Sequence, residues 1–216
     1  PMNRSTLFDI AGLACIVLTL AGCERASADG QGNPIGDIDP VDNAVALVDE
    51  GRRIFRYDSL GSEAFWGDAL RVHETIAGAA LGGVGPGVSP AAALSVGLKV
   101  DSEALPASLR SDLLQGRVDL GDPANTVALL ELDAVVGVRG IFQSGQLSSV
   151  GISCALCHST VDDSCLPGIG RRRDGWPNRD LDVGKVIGLA QDLSPFAGLL
   201  GVSQETVRDV LASWGP

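Results

Sequence analysis

The chain has 216 residues, of which 45% are hydrophobic and only 4% aromatic, with 28 glycines, a balance that suits one globular domain plus irregular connections rather than two full domains. The net charge of -11 excludes nucleic acid and an anionic membrane surface as the main partner, because both demand a basic face. An acidic surface suits a partner protein with a basic docking face.

In chain order, Arg4 supplies a short positive region and Ile10 to Leu20 is an apolar run, too short to span a bilayer comfortably. It reads as the hydrophobic region of an export signal. The run ends Leu20-Ala21-Gly22-Cys23, which resembles the lipobox of bacterial lipoproteins, where cleavage precedes a cysteine that is then acylated. Residues 1–22 are therefore expected to be a lipoprotein signal peptide and Cys23 a lipid anchor to the membrane; the alternative is an ordinary signal peptide with a coincidental cysteine. Residues 23–42, rich in Gly, Asp, Pro, Ser and Asn, read as a flexible tether, and residues 43–216 as the folded domain.

Val45, Leu47, Val48, Ile54 and Phe55 predict an amphipathic helix to about Arg56. Ser62 to Ala77, with Phe65, Trp66, Leu70, His73 and Ile76, predicts a second. Ala104 to Leu114 and Pro123 to Val136 predict two more, the last opened by Asp122-Pro123 as cap and first-turn residue. The stretch from Gly78 to Gly97 reads as loop with at most a short helix near Pro90. Ser203 to Ala212 predicts a capped terminal helix, and the Gly215-Pro216 ending reads equally as a terminus and as the start of a linker into a further domain. Strand alternation is confined to Val135 to Phe142, so the chain is predicted to be mainly helical.

The chemistry lies in Cys154-Ala155-Leu156-Cys157-His158. Two thiols three positions apart can add across the two vinyl groups of haem, and the adjoining imidazole is thereby aimed at the iron. The rivals are a zinc half-site, for which the chain offers only Cys165 and His73 as further ligands, and a redox dithiol, which would want a βαβ setting. Haem c is the predicted cofactor, with Cys154, Cys157 and His158 holding it. Export agrees, since c-type haem is attached on the extracytoplasmic side of bacterial membranes.

Around this motif the chain resembles the mono-haem cytochrome c domain. Gly51-Arg52-Arg53-Ile54-Phe55 resembles the first and Leu211-Ala212-Ser213-Trp214 the last of two helices that cross in that family, glycine permitting close contact. Leu166-Pro167-Gly168-Ile169-Gly170 resembles its loop whose proline carbonyl accepts the Nδ1 hydrogen bond of the haem histidine, here Pro167 toward His158. The resemblance further implies that Arg171 or Arg173, with Trp176, bonds a haem propionate; the plain alternative is a solvated basic loop for partner docking. It implies an all-α, cytochrome c-like haem domain with a helical insertion or N-terminal elaboration, because about a hundred residues separate Phe55 from Cys154.

The second departure from the family concerns the iron. Its electron carriers supply a methionine as sixth ligand, yet the only methionine here is Met2. The sixth site is then His73, a weak ligand such as water, or a residue from sequence absent here, with Lys185 a further candidate should His73 prove neither ligand nor packing residue. The reading of His73 as a packing histidine on the stripe Trp66, Leu70, His73, Ile76 stands beside ligation. Cys165 is left over as a buried or idle thiol. The expected function is extracytoplasmic electron transfer to a redox partner protein, on the periplasmic side of a bacterial membrane, lipid-anchored or soluble. The alternative is a haem enzyme of peroxidase-like or oxygenase-like type using an open sixth position, within a longer multi-haem protein.

Overall fold

The computed structural model describes residues 39–215; the signal, Cys23 and most of the tether lie outside the described residues. The chain divides into two compact units, Pro1–Ala44 and Val45–Pro216, and the Cys154–His158 motif lies within the second.

The expectation of an all-α domain is overturned. Among the described residues about 47% are helical and 14% are in strands, so the fold is mixed α/β, with three small two-stranded sheets. Helix α1 spans Pro40–Tyr57, as its periodicity predicts. The predicted second helix is broken. It forms a π-helical turn over Ala64–Ala69, then Arg71 takes a left-handed φ of 50° and a short α2 follows over Val72–Ala77. A non-glycine residue in that region costs on the order of 1 kcal/mol and stops the helix. The short helix near Pro90 is α3, Pro90–Ser95, capped by Ser89 Oγ, which accepts from Ala92 N at 3.2 Å.

Strand β1, Val100–Asp101, leads to α4, Ala107–Leu114, and α5, Pro123–Glu131. Asp122 caps α5, accepting from Ala124 N at 2.9 Å. This helix ends five residues before the predicted Val136, because Asp133 is again left-handed at φ 52°. Strands β2, Val138–Gln143, and β3, Gln146–Ile152, form an antiparallel hairpin. Its turn, Ser144-Gly145, has two positive φ values, which match the right-handed twist of the flanking strands. The motif helix α6, Ala155–His158, follows, then β4, Ser159–Val161. Strand β5, Ile169–Gly170, pairs in parallel with β1, and β6, Arg172–Asp174, pairs antiparallel with β4. Three helices close the fold: α7, Val183–Gly188, α8, Ser194–Leu200, and α9, Gln204–Ala212. Ser203 caps α9 as predicted, its Oγ accepting from Thr206 N at 3.1 Å.

The main core joins Leu70, Ile76, Leu130, Val150, Leu193 and Leu211. A second cluster lies under β1 and α4, around Val100, Leu105, Leu113 and Ile169. The glycine-mediated helix crossing expected of α1 with α9 belongs to α7 instead. A Cβ on Gly184 would overlap the Leu211 carbonyl oxygen and crowd Trp214, whereas one on Gly51 would meet nothing within 4 Å. Val45, Leu47, Val48 and Ile54 of α1 stay exposed; the helix joins the body through Phe55. No described helix is long and apolar enough to cross a membrane.

Candidate functional site

The motif sits where β3 ends and the chain turns back. Ser153 fixes the corner: its N–H donates to Gly137 O at 3.0 Å and its hydroxyl to Arg56 O at 2.8 Å. One helical turn follows, and its faces are sharply divided. Ala155 and Leu156 are 0% and 4% exposed, while Cys154, Cys157 and His158 all face solvent. Ala155 packs with Val136, Val161 and Phe55, and Leu156 with Val96, Leu181 and Val186. Residues three and four apart share a helix face, so burying the two middle positions turns both thiols and the imidazole outward together. The helix can lie this low because position 137 is glycine. Its φ is +74°, and a Cβ there would overlap the backbone nitrogen of Leu156.

Last-turn carbonyls of a helix lack internal partners, and the segment after β6 supplies them. Gly175 N donates to His158 O at 2.8 Å and Asn178 N to Cys157 O at 3.0 Å; Asn178 Nδ2 reaches Leu156 O at 3.4 Å and Gly97 O at 2.9 Å. Between these anchors Trp176 stands 65% exposed. The structure thus brings Cys154, Cys157, His158 and Trp176 to one neighbourhood.

Other residues singled out in the sequence lie elsewhere. The β4–β6 ladder runs from Ser159↔Asp174 to Val161↔Arg172, and Pro167 lies in the loop beyond its far end. No hydrogen bond joins the His158 imidazole to the Pro167 carbonyl among the described residues. Arg171 and Arg173 point outward and share the carboxylate of Asp162, at 3.1 and 3.5 Å. Hydrogen bonds from Ser164 and Arg171 hold that carboxyl well below the usual carboxylate range. His73 is half-buried on α2, whose packing partners are β3, α5 and the π-helical turn. Burial lowers its pKa, and its Nδ1 has no hydrogen-bond partner among the described residues. Cys165 is a half-buried free thiol. Lys185 pairs with Asp182 at 2.8 Å.

The sequence reading missed Arg172. In a strand, successive side chains face opposite ways, so the middle arginine of the run turns inward. Its side chain is 1% exposed, 3.2 Å from Asp101, itself 4% exposed, and its guanidinium lies 5.5 Å from the Tyr57 ring centroid. Beside it Arg56 pairs with Asp174 at 2.6 Å, and Ser159 Oγ donates to Asp174 Oδ1 at 2.9 Å. These contacts tie the end of α1 and both strands of the ladder to the residue that follows His158.

Two exposed free thiols on one helical face, an adjoining exposed imidazole and an exposed indole form a donor set that fits covalent haem. Among the described residues no three His, Cys, Asp or Glu side chains converge as a metal cage. Burial, then the charge of Cys154, pushes the Cys157 thiol up. No family model, curated protein or solved structure matches the chain.

Proposed function

We propose that Cys154, Cys157 and His158 hold haem c and that the protein transfers electrons outside the cytoplasm. The observation that carries this reading is the division of the motif helix, with Ala155 and Leu156 buried and both cysteines and the histidine turned outward. Bound haem would supply a one-electron ferric–ferrous couple. The chain's part is to position it. Two thioethers fix the ring, His158 presents its imidazole to the metal, and the backbone bonds from Gly175 and Asn178 hold the helix that carries them. Trp176 offers an apolar face beside the site. The net charge of -11 suits a redox partner with a basic docking face, and the lipobox-like junction at Cys23 suits a lipid anchor on the periplasmic side of a bacterial membrane.

One observation favours a second reading, a haem enzyme with an open sixth position. The only methionine is Met2, and His73 packs among β3, α5 and the π-helical turn. Electron carriers favour a filled sixth site, whereas peroxidase-like or oxygenase-like chemistry needs a vacancy.

The test is acid–acetone extraction after expression with a periplasmic haem-maturation system. Haem stays with the parent protein and leaves the Cys154→Ala, Cys157→Ala double variant. Loss from the parent, or retention by the double variant, overturns the proposal.

A further inference from the structure

Away from the haem motif, a cleft of about 410 Å³ opens between one face of α4 and the loop joining β4 to β5. Its floor is Ser102, which is 3% exposed and whose hydroxyl makes no hydrogen bond to the protein. Ala107, Arg110, Ser111 and Leu114, spaced for one helix face, form one wall; Ser164, Cys165 and Arg171 form the other.

The charge of this cleft runs against that of the molecule. The chain carries 27 acidic residues against 16 Lys and Arg, and most described cations are matched by a carboxylate or, for Arg208, by carbonyl oxygens. Arg110 has no such partner among the described residues, and no carboxylate lines the cleft. On the loop, Asp162 is engaged by Arg171, Arg173 and Ser164, and Asp163 accepts from Gly168 N at 2.8 Å. The unpaired guanidinium of Arg110 and the hydroxyls of Ser102 and Ser111 surround one hollow, with Arg171 and Ser164 beside them already sharing the Asp162 carboxylate; Arg110 with the two hydroxyls supplies donors of the kind that oxyanions require. The volume falls in the range of small-molecule sites, roughly 300–1,000 Å³, more than a bare inorganic anion needs.

We infer that this cleft binds a small organic anion, its carboxylate or phosphate head on Arg110, Ser102 and Ser111 and its apolar part against Ala107, Leu114 and Cys165. The site is independent of the haem proposal.

Cys165 serves as its reporter. The full chain is treated with a neutral alkylating reagent, and modification of the Cys165 peptide is followed by mass spectrometry with benzoate, phenyl phosphate, inorganic phosphate or benzyl alcohol present. Thermal unfolding in the same ligands gives a readout independent of the thiol. The two aromatic anions protect Cys165 and raise the unfolding temperature, inorganic phosphate does so only at higher concentration, and benzyl alcohol does neither. Arg110→Gln raises the protecting concentration roughly tenfold, the loss expected of one charge-assisted bond, and Arg110→Lys restores part of it. Arg171→Gln, on the opposite wall, acts in the same direction. Equal protection by the alcohol, anion binding unchanged in Arg110→Gln, or no effect of either aromatic anion on both readouts overturns the inference.

Discussion

Arg172 and Asp101 show how differently two ion pairs in one protein can weigh. Both side chains are almost fully buried, so removing one charge strands the other in a poorly solvated place. Asp101→Asn is therefore expected to cost about 3–5 kcal/mol in urea unfolding. Asp162 pairs with arginines that are more than half exposed, and exposed pairs contribute little. Its effect appears in pH dependence instead. The folded-state pKa of Asp162 is depressed, so the stability linked to it is present above the ordinary carboxylate pKa of about 3.9 and is lost as pH falls below that value. Urea midpoints recorded from pH 5 to about pH 2 should fall more steeply for the parent than for Asp162→Asn; parallel curves would show that the carboxylate is not held. His73, with its buried Nδ1 unpartnered, is expected to behave as a packing residue. His73→Ala costs about 1 kcal/mol and leaves the haem spectrum unchanged, with the ferrous protein binding carbon monoxide before and after. A switch from low to high spin on substitution would identify His73 as a ligand.

At the scale of elements, the two glycines that matter are not the one that the cytochrome resemblance selects. Gly51 faces open space, while Gly184 lies against the Leu211 carbonyl and Gly137 under the Leu156 backbone. Gly51→Ala should stabilise by about 0.5–1 kcal/mol, the ordinary gain of alanine over glycine inside a helix. Gly184→Ala should separate α7 from α9, and Gly137→Ala should lift the motif helix, each costing more than about 2 kcal/mol by thermal or urea unfolding. Gly51→Ala destabilising more than Gly184→Ala would restore the α1–α9 crossing. Helices α1, α4, α5 and α9 were legible from apolar spacing, with caps at Asp122 and Ser203 for the last two. The sheets were not. Only β2, half-buried along most of its length, had a signal, the alternation of Val135 to Phe142; β1 and β5 are two residues each and carry no pattern. Left-handed Arg71 and Asp133 stop helices at residues whose type carries no stop signal.

For the whole molecule, the motif was legible because its chemistry is local: five consecutive residues carry both thiols and the imidazole. Its surroundings were not, because they come from distant segments. Gly137 lies 17 positions before Cys154, Arg56 nearly a hundred before it, and Trp176 and Asn178 on a segment that returns along the β4–β6 ladder. The chain is acidic as a whole and the motif faces outward, which suits a site reached by another protein. Haem held there should stabilise the fold as well, since a covalent group that packs on the native surface binds the native state alone. The most direct test of the central claim is tandem mass spectrometry of the peptide containing Cys154 to His158, from protein matured in the periplasm. The account predicts one haem added to that peptide through both Cys154 and Cys157; an unmodified peptide with two free thiols, in cells that load a control cytochrome, would contradict it.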